Sequence, residues 1–103
     1  MRPETVLARR RDVRWRRVGG EAVVVIQDAG RVAGLNGTAA DVLEAVDGTA
    51  TVAEVVDRLS PRWDVARERL AEDVGRILDE LLGLGIVEPV RAPGDAPPPE
   101  PRE

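Results

Sequence analysis

Asp73 and Glu80 stand seven residues apart in a stretch with helical periodicity, so their carboxylates share one face, as a paired general acid and base would. Arg69 and Arg76 interleave with them at three- and four-residue spacing, which makes the group a surface ion-pair ladder instead. The 103 residues contain no Cys and no His, which removes thiolate nucleophiles, imidazole bases and zinc sites built on those ligands. A metal would have to rest on carboxylates alone, and no Asp-rich calcium loop is present. Gly19-Gly20 is not a phosphate loop, because no helix follows it. Composition therefore points to a chain that is not an enzyme, with no cofactor and no metal site, whose function lies on its surface.

The elements that would present such a surface can be read from periodicity. Val13 and Trp15 alternate with Arg14 and Arg16, and Gly19-Gly20 then links this run to Ala22–Gln27 as a two-residue hairpin turn would. That turn sets Val18 opposite Glu21, Trp15 opposite Val24 and Val13 opposite Ile26. One face collects Val13, Trp15, Val24 and Ile26, while Arg14, Arg16, Val18, Val23 and Val25 share the other. A third strand, Arg31–Leu35, follows the Asp28-Ala29-Gly30 loop. Three helical periods come next. The first holds Ala39, Val42, Leu43 and Val46 behind an N-cap at Asn36 or Thr38; the second follows the capping box Thr51-Val52-Ala53-Glu54; the third runs from about Asp64 to Leu84, with Gly85 just past its end. The expected fold class is α+β, winged-helix-like, a three-stranded antiparallel sheet followed by three helices.

Six of the eight prolines fall after Glu88, so the expected organisation is an arm at residues 1–5, a domain at 6–88 and a disordered Pro-rich tail at 89–103. The net charge of −4 conceals an asymmetry: residues 1–20 carry +5 and residues 21–103 carry −9. No run approaches the roughly 18 apolar residues of a membrane span and no apolar stretch precedes the first arginines, so a cytoplasmic protein without membrane association is expected.

With strands in sequence order, Arg31, Val32, Ala33, Gly34 and Leu35 form an edge that offers backbone groups to an extended peptide. Gly34 permits close backbone approach, and Ala33→Pro is expected to remove an edge donor. The third helix would wall the groove, with Arg69, Asp73, Arg76 and Glu80 as selectivity elements. Asp73 has two readings, a groove group bonding the peptide or a partner of Arg69 and Arg76; Trp63 has two as well, stacking on the peptide or closing the core. Two other classes compete. Helices two and three resemble a DNA-binding helix-turn-helix, but residues 65–84 carry a net −2, so phosphates would be repelled and no nucleic acid is expected as a partner. A homodimer covering Val18, Val23 and Val25 is the third alternative.

Leu35-Asn36-Gly37-Thr38-Ala39, Val42-Leu43, Asp47-Gly48, Thr51-Val52-Ala53-Glu54-Val55, Leu59, Trp63, Asp73-Val74, Leu78, Leu81 and Gly85-Ile86-Val87 together resemble the signature of the PqqD-like family, the peptide-binding chaperones also called RiPP recognition elements. The resemblance covers about residues 6–88. It implies a winged-helix-like fold and capture of the leader segment of a ribosomally made precursor peptide, docked as an added strand between the third strand and the third helix. By position, it assigns peptide binding to Arg31, Val32, Ala33, Gly34 and Leu35 on the edge and to Arg69, Asp73, Arg76, Ile77 and Glu80 on the helix. It further implies delivery of the leader to a maturation enzyme, a radical S-adenosylmethionine enzyme in pyrroloquinoline quinone synthesis or a leader protease in lasso peptide synthesis. The basic amino-terminal segment suits an acidic leader and so favours the lasso type. Three positions depart from the family pattern: Trp63 stands where Tyr or Phe is usual, Gly37 follows Asn36, and Gly34 replaces a bulkier residue.

Overall fold

A computed structural model describes residues 2–90. Its elements run β1 (Val6–Arg9), β2 (Val13–Val18), β3 (Glu21–Ile26), β4 (Arg31–Leu35), α1 (Gly37–Ala45), α2 (Val52–Leu59), a 3-10 turn (Ser60–Arg62), α3 (Arg67–Leu84) and β5 (Val87–Val90). The central sheet is antiparallel in the order β2-β3-β4, and β1 and β5 form a second, two-stranded antiparallel sheet. The α+β, winged-helix-like reading holds, with two strands added to it.

The hairpin register is the one the Gly-Gly spacing demands, with Val18 opposite Glu21, Trp15 opposite Val24 and Val13 opposite Ile26. Gly19 has φ of 64° and Gly20 does not have positive φ, the pattern of a type II′ turn whose twist suits a hairpin. A two-residue turn closes on a hydrogen-bonded pair, so Glu21, Val23 and Val25 bond toward β2 while Ala22, Val24 and Ile26 bond toward β4. The backbone bond from the Gln27 N–H to the Asp12 carbonyl, 2.9 Å, continues that alternation. The inward side chains of β3 are almost fully buried, Val24 completely so.

The helices form where sequence supplies both a cap and an apolar period. The Asn36 side chain accepts from the Ala39 N–H and starts α1. Gly37 opens that helix because a Cβ there would stand 2.9 Å from the Gly20 carbonyl oxygen, so the hairpin turn can approach only a glycine. Thr51 and Glu54 close both halves of a capping box on α2. Two more N–H groups of that first turn are taken by the amino-terminal arm: Val52 donates to the Thr5 carbonyl at 2.8 Å and Ala53 to that of Pro3 at 3.0 Å. Gly85 ends α3 in the left-handed conformation at φ of 78°. That helix starts at Arg67, three residues after the expected Asp64, and no side chain caps it. Leu70, Val74, Ile77, Leu78 and Leu81 face one core shared with α1, α2 and the inner face of the sheet.

The domain boundary expected at residue 88 falls inside β5, whose Pro89 and Val90 lie opposite Leu7 and Val6. Proline is tolerated there because the strand belongs to a two-stranded ribbon with an open edge. Of the tail expected at 89–103, Pro89 and Val90 belong to β5, and residues 91–103 lie outside the described residues.

Candidate functional site

Since β3 bonds to β4 through the pairs Ala22–Leu35, Val24–Ala33 and Ile26–Arg31, the intervening Val32 and Gly34 turn their backbone N–H and C=O groups away from the sheet. Those two residues, rather than all five, constitute the free edge. Ala33 is thereby corrected as an edge donor: its N–H belongs to the internal ladder opposite Val24, and its side chain is half-buried against the core. Leu35 is a core residue at the end of the strand. Gly34 lies on the outer face with open space beyond it, so a side chain would fit there.

Beside the start of β4, the β3–β4 turn and the carboxyl end of α3 enclose an open cleft of about 400 Å³. Ile26, Leu82 and Leu84 give it an apolar floor, and Arg10, Asp12, Asp28 and Arg31 form its rim. Asp12 is committed inside the fold: Arg10 donates to it at 3.2 Å and the Asp28 N–H at 3.3 Å. Desolvation pushes its carboxyl up, but the bonds from Arg10 and from backbone N–H groups outweigh this and hold it below the usual carboxylate range. Arg31 makes no ion pair among the described residues, and its charge remains available at the mouth of the cleft.

Of the ten residues expected to bind peptide, only Arg31 lines this cleft. Ile77 is 6% exposed and packs in the core under the helix. Arg69, Asp73, Arg76 and Glu80 form a chain of exposed ion pairs farther along α3: Asp73 lies 3.7 Å from Arg69 and 3.5 Å from Arg76, which is 3.5 Å from Glu80. Asp73 thus lies between two arginines in the free chain. Helical phase still places Asp73, Ile77, Glu80 and Leu84 in one row that ends at the cleft. Arg10, Asp12, Ile26, Asp28, Leu82 and Leu84 were not singled out by sequence, since they converge from four separate segments.

Both tryptophans pack against the core and neither lines this cleft. Trp63 packs against the core and its indole N–H donates to Asp41, 3.4 Å away, which also binds Arg17 of β2 at 2.6 Å. Burial alone would raise the Asp41 pKa, but the Arg17 bond, the Arg62 charge and the indole bond together lower it. Trp15 sits under the Arg9 guanidinium, 5.7 Å from the ring centre. Trp63 therefore closes the core, bonded to Asp41 of α1.

The profile described as coenzyme PQQ synthesis protein D (PqqD) matches residues 21–87, spanning β3, β4, all three helices and the first residue of β5. The chain belongs to the PqqD family. No curated protein matches it. Among solved structures, the fold is similar to "TbiB1 in Complex with the TbiA(beta) Leader Peptide", with a TM-score of 0.72 and 18% identity over 79% of this chain and 94% of that one. It is similar also to "Lasso peptide synthetase B1 complexed with the leader peptide", with a TM-score of 0.70 and 20% identity over 81% and 98% of the two chains. "Structure of the heterocyclase TruD" matches with a TM-score of 0.62 and 16% identity over 84% of this chain and 12% of that one. Nothing among these findings favours the DNA-binding alternative, and α3 itself keeps the net −2 that argues against it. Among the described residues no helix is long and apolar enough to cross a membrane, and no three carboxylates gather as a metal site would require.

Proposed function

We propose that this PqqD-family chain binds the leader segment of a ribosomally made precursor peptide and presents it to a maturation enzyme, without catalysing a step itself. The observation that carries the reading is the free β4 edge beside the cleft and the end of α3, in a fold shared with two leader-peptide complexes. An added strand would take its main-chain bonds from Val32 and Gly34. Its residue opposite Ala33 would point inward, toward the row of α3 that carries Ile77 and Leu84, and its neighbours on either side would point to the outer face of the sheet. Arg31 would meet an acidic leader side chain, while the Asp73 and Glu80 row would set the charge tolerated farther along. Domain-sized resemblance to part of the TruD heterocyclase supports a working association with a modifying enzyme. A lasso-type leader protease is the favoured enzyme, and a radical S-adenosylmethionine enzyme the second reading, which the PqqD match supports.

The test is calorimetric titration with the leader peptide of the precursor encoded beside this chain. Saturable binding that Val32→Pro weakens supports the assignment; binding left intact by that variant would sink the edge. Calorimetry is preferred to tryptophan emission because Trp15 belongs to β2, the opposite edge strand, and Trp63 is packed against the core.

A further inference from the structure

The outer face of the central sheet carries four exposed valines: Val18 at 55%, Val23 at 38%, Val25 at 37% and Val32 at 70% exposure. They are contiguous, for Val25 lies opposite Val32 and Val23 lies between Arg16 and Gly34. The inner face of the same strands is packed, so strand propensity alone does not need an apolar residue at each of these wet positions. Arg14 and Arg16 border the patch. Arg14 donates only to the Arg11 and Val13 carbonyls, and neither arginine pairs with a carboxylate among the described residues. The patch is therefore apolar with a net positive margin, Arg14 and Arg16 against Glu21.

We infer that this face is the docking surface for the modifying enzyme, which would present an apolar surface bordered by carboxylates. The inference rests on the leader-binding reading above and extends it. Charge selects this occupant over a second copy, because a face-to-face dimer would oppose four arginines with only the two Glu21 residues to offset them. Residues 91–103 do not suit it either, since they contain no Val, Leu, Ile, Met or aromatic residue to cover the valines. Geometry adds a coupling. Leader residues opposite Val32 and Gly34 would share their outer face, so a bound leader enlarges the patch toward the enzyme. The enzyme then binds the loaded chain more tightly than the empty one, and tightens leader binding by the same factor.

The experiment uses the full chain, a synthetic leader peptide and the purified modifying enzyme encoded in the same gene cluster. Val23→Ser and the double variant Arg14→Glu, Arg16→Glu are compared with wild type after circular dichroism confirms folding. The expected result is leader affinity within about twofold of wild type and enzyme association weakened about tenfold or more in both variants. In wild type, leader should strengthen enzyme association. Unchanged enzyme association with leader binding intact overturns the docking surface and leaves the leader-binding reading standing. Failure of wild type to bind leader while it binds the enzyme overturns that reading and the coupling built on it. A sedimenting dimer lost in Val23→Ser, or enzyme binding gained on deleting residues 91–103, would name another occupant and likewise overturn the inference.

Discussion

The central sheet has two open edges that differ in almost every respect. At β2 the outward backbone groups belong to Val13, Trp15 and Arg17. That edge is blunted: the Val13 N–H is taken by the Arg10 carbonyl at 3.1 Å, Trp15 lies under Arg9, and Arg17 reaches Asp41 and Glu44 at 2.6 and 2.7 Å. Long charged side chains of this kind discourage pairing with another strand. At β4 the outward groups belong to Val32 and Gly34, only Arg31 bears charge, and a cleft opens beside it. The same sheet thus has one edge that is blunted and one that is open, and the difference comes from the side chains and the neighbouring segments at each edge.

Proline substitutions at adjacent positions break the comparison most sharply. Ala33→Pro removes a ladder bond to the fully buried Val24 and should cost about 1–3 kcal/mol of stability, read as a lower denaturation midpoint. Val32→Pro, one residue away, removes only an outward donor. It should leave the fold intact and weaken leader binding by about 1 kcal/mol, roughly fivefold, by calorimetry. Equal effects of the two on stability would refute the alternation of outward and inward groups.

Smaller effects sharpen it. Asp73→Arg sets a third positive charge between Arg69 and Arg76 and should change leader affinity by about 1 kcal/mol or less, in a salt-dependent way. Arg17→Ala unblunts β2 and should cost under about 1 kcal/mol of stability with leader affinity unchanged; lost leader binding there would move the site to the wrong edge. Acid provides a last test. Asp47 accepts bonds from the Thr49 and Ala50 N–H groups, from the Thr49 hydroxyl and from Arg58, which lower its pKa well below the normal range, and Asp41 is lowered too. A carboxylate whose folded pKa is depressed stabilises the fold above its unfolded value, near pH 4, and loses that contribution as pH falls toward the folded value. Stability should therefore decline only below about pH 4, and Asp47→Asn should flatten that decline.

Local rules made much of this legible. The Gly-Gly spacing fixed the β2–β3 register pair by pair, and Thr51 with Glu54 fixed the start of α2, because both depend on residues a few positions apart. The β1–β5 ribbon escaped detection because each strand has four residues, one contains Pro89, and its pairs join positions at opposite ends of the domain. The cleft escaped for a related reason, its lining being gathered from β3, the turns around it and the last turn of α3. Sequence by itself determined the three central strands and three helices, their order, the absence of Cys and His chemistry, and the uneven distribution of charge. Only tertiary structure decided which backbone groups of Arg31–Leu35 face outward, that Asp73 lies beside Arg69 and Arg76, that Trp63 packs on the core and bonds Asp41, and where Arg31 meets Leu82 and Leu84. Those outcomes depend on sheet order and on the packing of helix against sheet, which residue types specify only through contacts between distant parts of the chain.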